Sequence, residues 1–159
     1  MQRLILIRHA QAGSSPSGAD LDRPLSELGR AQAEVQGRWL QGRELGIDRV
    51  LCSNAARTIE TARAVGLSKP LELPAIYTAT AGELVRILES HIDASVVCLV
   101  GHNPGISGLA GFLTGQRLPM APGQVIGIHF EPPLVSSVQP GTGQVFAFRP
   151  PPPVDEGGS

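Results

Sequence analysis

Ser95-Val96-Val97-Cys98-Leu99-Val100-Gly101-His102-Asn103-Pro104-Gly105 changes character at its centre. Up to Val100 the residues are apolar and largely β-branched, with no polar interruption, which predicts a strand buried on both faces. Beyond Gly101, Asn103 is a helix-capping residue, and Pro104 suits a first helical position, where a missing N–H breaks no bond. A strand running straight into a helix is the repeating unit of α/β proteins.

The same alternation extends toward the N-terminus. Leu4-Ile5-Leu6-Ile7 predicts another buried strand, and Gly13-Ser14-Ser15-Pro16-Ser17-Gly18 a loop. Ser26 can cap a helix in which Leu28, Ala31, Val35 and Trp39 recur at helical spacing. Arg49 to Cys52 predicts a short strand, and Ala55, Ile59 and Ala62 mark the helix after it. Leu71-Glu72-Leu73 predicts a short strand stopped by Pro74. Thr80-Ala81-Gly82-Glu83 has the form of a capping box, placed ahead of inward-facing Leu84, Ile87 and Leu88. Toward the C-terminus, Gln124 to Phe130 and Gln144 to Phe148 predict two strands joined by a loop containing Pro132, Pro133, Pro140 and Gly141, with no helix between them. The expected fold class is therefore α/β. It is a three-layer α/β/α sandwich whose central sheet is mostly parallel, with an antiparallel edge. A single domain is expected over residues 1–149. The Pro- and Gly-rich residues 150–159 have little to bury and are expected to be disordered.

Composition narrows the function classes. The 159 residues suit one domain. Thirteen basic and fourteen acidic residues leave a net charge of −1, without the basic excess of a nucleic-acid or anionic-membrane binder. Of the basic residues only Lys69 is a lysine. Genomic composition accounts for most of that skew, but guanidinium groups also suit planar or tetrahedral oxyanions. Cys52 and Cys98 lie in apolar runs and read as buried, reduced thiols. No apolar run approaches the ~20 residues of a membrane span, and the Met1–Ile7 stretch lacks the form of a signal peptide, so a cytoplasmic location is expected.

In open α/β sheets, ligands bind beyond the carboxyl ends of the strands. Arg8 and His9 follow the first strand, Ser53 and Arg57 the second, and Gly101, His102 and Asn103 the strand at Val96–Val100. One sheet edge thus collects two arginines, two histidines and a helix N-terminus. Such a set suits a phosphoryl group: arginines clamp its oxygens, helix N–H groups add positive potential, and a neutral histidine can attack phosphorus. Competing signatures fail. Only four residues separate Cys52 from Arg57, one short of the cysteine-phosphatase loop, and Lys69 lies in no Walker A sequence. No pair of His or Cys has zinc-ligand spacing. His91, His129, Trp39 and Tyr77 read as structural or packing residues.

Leu6-Ile7-Arg8-His9-Ala10 resembles the Arg-His-Gly signature of the histidine phosphatase superfamily, with the phosphoglycerate-mutase-like fold, and within it the small SixA-type phosphohistidine phosphatases. Asp20-Leu21-Asp22-Arg23-Pro24-Leu25-Ser26-Glu27-Leu28-Gly29 is similar to that family's Asp-x-x-Arg-Pro-Leu-Ser/Thr-x-x-Gly stretch. Ser53-Asn54-Ala55-Ala56-Arg57-Thr58-Ile59-Glu60-Thr61-Ala62 resembles its Ser-Pro-x-x-Arg-Ala-x-x-Thr-Ala block, with Asn54 in place of proline and Thr58 in place of alanine. Gly101-His102-Asn103-Pro104 matches its fourth block. The resemblance covers roughly residues 1–130. Ala10 stands where the superfamily has glycine, and a positive φ there would strain alanine.

The resemblance implies that His9 is the nucleophile and that Arg8, Arg57 and His102 bind the phosphoryl oxygens. It further implies that Arg23, Ser53 and Asn103 contribute to substrate binding, and it makes Glu83 the candidate acid, although the capping box already explains that residue. It implies a metal-independent hydrolase with no cofactor. The expected substrate is phosphohistidine on another protein. An imidazole leaves a labile P–N bond with less need of an acid than an alkoxide has, and the short connections imply an open site. The alternatives are a phosphatase of small phosphomonoesters and a non-catalytic phosphate-binding relative.

Overall fold

The computed structural model describes residues 1–154. In chain order its elements are β1 (Arg3–Arg8), α1 (Glu27–Gly42), β2 (Arg49–Cys52), α2 (Ala56–Val65), β3 (Leu71–Glu72), α3 (Ala81–Glu89), β4 (Val96–Gly101), α4 (Gly105–Thr114), β5 (Val125–Phe130) and β6 (Gly143–Arg149). Single 3-10 turns lie at Asp20–Asp22 and Pro74–Ile76. The strands form one sheet in the order β3-β2-β4-β1-β5-β6. β1, β2, β3 and β4 run parallel, while β5 is antiparallel to β1 and β6 to β5. The fold is the expected α/β/α sandwich with an antiparallel edge.

The period-two alternation of the central strands divides the core between the two sheet faces. Leu4, Leu6, Val97 and Leu99 pack with Leu84, Leu88, Ile106 and Leu109 from α3 and α4. Ile5, Ile7, Cys98 and Val100 pack with Ala33, Leu40, Ala62 and Val65 from α1 and α2. Each strand at the centre is therefore covered twice, which is why β4 is apolar at every position.

Two expectations change in detail. The buried face of α1 is Gly29, Ala33, Gln36, Gly37 and Leu40, one position away from the expected stripe of Leu28, Ala31, Val35 and Trp39. The reason is backbone proximity. A Cβ on Gly29 would come to 2.2 Å from the Gln11 carbonyl oxygen, and one on Gly37 to 2.3 Å from that of Val65. The small residues therefore face inward and the larger apolar ones flank the contact. Trp39 sits at the flank between the guanidinium groups of Arg43 and Arg149. The helix expected to begin at Pro104 starts at Gly105, yet Asn103 still accepts from the Ser107 N–H. Residues 150–154, the described part of the segment expected to be disordered, make contacts with α1. Buried Gln36 donates to the carbonyl oxygens of Pro150 and Gly123, and Gln32 to that of Pro152, so this segment satisfies polar groups of α1. Residues 155–159 of the expected tail lie outside the described residues. Among the described residues no helix is long and apolar enough to cross a membrane.

Candidate active site

β1, β2 and β4 end side by side because they are adjacent in the sheet. Arg8 lies level with Gly101, so His9 and His102 leave the sheet together. Their ring centroids are 5.2 Å apart. His9 Nδ1 is 2.8 Å from the Ala10 carbonyl oxygen. A carbonyl only accepts, so Nδ1 carries the proton and Nε2 is left with its lone pair. Burial, opposed by the Ala10 bond and reinforced by the charges of Arg57, Arg8 and Arg23, pushes the His9 pKa down from 6.5 to about 4. The imidazole is neutral at physiological pH. Ala10 is fully buried, its N–H donates to Thr61 Oγ1, and it is not among the residues of positive φ, so alanine is unstrained there.

His102 is supported from β2 and α2. Its Nε2 is 2.7 Å from Ser53 Oγ, which is 2.6 Å from Thr58 Oγ1. Thr58 Oγ1 in turn lies within donating reach of the carbonyl oxygens of Ala55 and Ser53, at 2.9 and 3.0 Å, so the two hydroxyls tie His102 Nε2 to the start of α2. The His102 Nδ1 is buried without a partner. Burial first, then the neighbouring His9 and Arg57, pushes the His102 pKa down to about 3. Thr58 thus replaces the family's alanine with a hydroxyl that extends this chain.

The arginines are anchored at their tips. Arg8 Nη1 donates to the Met120 carbonyl oxygen at 2.9 Å, and its Nε is buried without a partner. Arg57, only 7% exposed in the first turn of α2, donates from Nη1 and Nη2 to Asp20, and its Nε is likewise buried and unpartnered. Arg8, Arg57 and His102 thus lie close to His9, near enough for both arginine charges to act on its ring, and each keeps one buried nitrogen without a partner.

The other expected contacts have different surroundings. Arg23 reaches the cluster's edge, donating to the Gly13 carbonyl oxygen and to Asp20 Oδ1. Ser53 is fully buried and holds His102. Asn103 is occupied by the Met120 carbonyl oxygen and the Ser107 N–H. Glu83 completes the capping box with Thr80, whose backbone N–H holds the carboxyl below its ordinary pKa, the opposite of what an acid at neutral pH needs. Burial pushes the Cys52 thiol up to about 11, so it is unsuited to act as a nucleophile.

Sequence reading missed two members of the cluster. Tyr77 is not merely packing: its ring stands edge-on to His102, its hydroxyl donates to Asp20, and the Arg57 guanidinium lies 5.7 Å from its centroid. Asp20 was visible only as the first residue of the Asp-x-x-Arg-Pro stretch. Its carboxyl is held at about 2, chiefly by the Tyr77 hydroxyl and then by Arg57.

A sequence model described as histidine phosphatase superfamily, branch 1, matches residues 4–84. The chain belongs to the histidine phosphatase superfamily. An uncharacterized protein of Mycobacterium tuberculosis is 33% identical over 106 residues, which cover 65% of this chain and 67% of that protein. Among solved structures, that of SixA from Nakamurella multipartitia superposes with a TM-score of 0.84 at 27% identity, covering 94% of this chain and 96% of that one. The protein histidine phosphatase SixA complexed with tungstate superposes with a TM-score of 0.79 at 23% identity, over 94% and 97% of the two chains, a likeness of fold. The protein is thus a phosphatase of the histidine phosphatase superfamily, with a fold similar to that of SixA.

Proposed function

We propose that this histidine phosphatase removes phosphate from phosphohistidine displayed on another protein, with His9 as the nucleophile. The observation that carries the proposal is the His9 ring itself. It is neutral, with Nδ1 tied to Ala10 and Nε2 left free, beside the His102 ring and the charges of Arg57 and Arg8. In the first step the Nε2–P bond forms as the substrate's P–N bond breaks, and the leaving imidazole takes a proton from solvent. In the second, water attacks phosphorus, inorganic phosphate leaves and Nε2 regains its lone pair. The net reaction consumes one water. Arg8, Arg57 and His102 stabilise the equatorial oxygens by charge-assisted and neutral hydrogen bonds.

The choice of phosphohistidine over a phosphomonoester rests on the state of the two candidate carboxyls near the site among the described residues. Asp20 is held at about 2 and Glu83 is also lowered, so neither carboxyl is kept protonated. The SixA likeness in fold points the same way.

The test is to incubate the protein with a phosphohistidine-bearing phosphotransfer domain, and separately with a panel of sugar phosphates, and to measure released phosphate. Faster turnover of the phosphoprotein, unaffected by EDTA, is expected. His9→Ala should abolish release, and rapid quenching of the wild type should trap label on His9. Preference for a sugar phosphate would favour the small-molecule reading, and full activity of His9→Ala would remove the nucleophile.

A further inference from the structure

Asp20 engages more side chains of the site than the phosphoryl reaction itself explains. Its main-chain oxygen accepts from Arg57 Nη1 at 2.8 Å and its Oδ2 from Nη2 at 3.0 Å. Oδ2 also accepts from the Tyr77 hydroxyl, and Oδ1 from Arg23 Nη1 at 3.3 Å. Both terminal nitrogens of Arg57 are therefore held by one residue. A guanidinium is planar, so fixing both tips fixes the direction of Nε, the atom left without a partner. A carboxylate beside a phosphoryl site repels the incoming dianion. Its presence is a liability for binding unless it does something for the arginine.

We propose that Asp20 is the positioning residue of Arg57, holding its guanidinium in one orientation beside His9 for contact with the phosphoryl group, with Tyr77 and Arg23 holding Asp20 in turn. The proposal rests on the phosphatase reading above. It makes the 3-10 turn at Asp20–Asp22, in the connection from β1 to α1, part of the catalytic apparatus. Asp20 transfers no proton in this role. It acts on the reaction only through Arg57.

The test compares Asp20→Ala, Asp20→Asn, Arg57→Ala and Asp20→Ala/Arg57→Ala, reading kcat, KM and inhibition by inorganic tungstate, with thermal melting as the check on folding. Asp20→Ala is expected to lower kcat about tenfold, a charge-assisted contact discounted for the exposure of the carboxylate, and to weaken tungstate inhibition. Asp20→Asn keeps an acceptor oxygen within reach of Nη2 and should recover most of the loss. In the Arg57→Ala background, Asp20→Ala should change kcat less than about twofold. Three results overturn the proposal. Additive losses in the double variant would show that Asp20 acts independently of Arg57. An Asp20→Asn enzyme as slow as Asp20→Ala would point to proton transfer. Tighter tungstate inhibition in Asp20→Ala would make the carboxylate a competitor for the phosphoryl site. If the wild type hydrolyses no phosphohistidine or phosphomonoester, the phosphatase reading fails instead. The coupling is then read from tungstate binding by calorimetry, where Asp20→Ala should weaken binding in the Arg57 background alone; equal weakening without Arg57, or none with it, overturns the positioning role.

Discussion

His9 is neutral because of its surroundings. Burial lowers its proton affinity and three arginine charges lower it further, while the Ala10 carbonyl opposes them. A neutral imidazole supplies a lone pair for attack, and the same desolvation strengthens every hydrogen bond that a phosphoryl oxygen makes there. The sign of the pH effect follows. Above about pH 4 the folded ring is free of its second proton; below it Nε2 is protonated and cannot attack. In a titration of the ligand-free protein followed by NMR, the His9 ring should therefore titrate near 4, and a midpoint at or above 6 would mean that the ring is more hydrated than its packing implies. The individual residues were legible to different degrees. Arg8, His9, Arg57 and His102 stand at the ends of strands or in the next helical turn, positions that alternation alone locates. Tyr77 was not legible, because its partner Asp20 is 57 residues away in the chain. Met120, whose carbonyl holds both Arg8 and Asn103, was missed for the same reason: a main-chain oxygen in a loop leaves no mark in the sequence.

At the scale of elements, α4 shows how helix packing serves the site. A Cβ on Gly105 would lie 2.2 Å from the Ala79 carbonyl oxygen, so the start of α4 approaches the segment that carries Tyr77 through a position only glycine can occupy. Gly105→Ala would have to push backbone against backbone and should cost about 1–3 kcal/mol, the range for overpacking. Gly82, exposed in the first turn of α3, has only Thr80 Oγ1 at 4.0 Å from its Cβ position. Gly82→Ala should instead raise stability by about 0.5–1 kcal/mol through helix propensity. Urea denaturation of the two variants checks both signs, and equal effects would contradict the packing account. The capping box at Thr80, the Ser26 cap and the strand runs were legible as local chemistry. The inward face of α1 was not, because its rotation is set by how closely Gln11 and Val65 approach Gly29 and Gly37. A hydrophobic stripe predicts burial by greasiness, whereas this contact is limited by backbone distance.

At the scale of the whole molecule, residues 150–152 brace the site from behind. Pro150 and Pro152 accept from Gln36 and Gln32, and Gln36 also donates to the Gly123 carbonyl oxygen. The Gly123 N–H in turn bonds the carbonyl oxygens of Arg8 and His9. Ending the chain at Arg149 should cost roughly 1–2 kcal/mol, on the order of one or two hydrogen bonds, and should weaken tungstate binding by loosening the strand end that carries His9. Unchanged melting and binding in the truncated protein would show that the segment is only resting on α1. Proline-rich composition predicted disorder here because it has little to bury. That expectation counts side chains, whereas the contacts here are made by carbonyl oxygens, which proline retains.

The order of the chemistry along the chain was a property of the sequence. Strand-forming apolar runs, three of them followed by arginine, serine or histidine, fix an α/β fold with the candidate site residues along one edge, because side-chain period and capping are local. The joining of those residues into one site was decided by the sheet. The order β2-β4-β1 sets three distant strand ends side by side and closes Asp20 and Tyr77 over Arg57. Such contacts depend on separations in space that the spacing of residues along a chain does not contain.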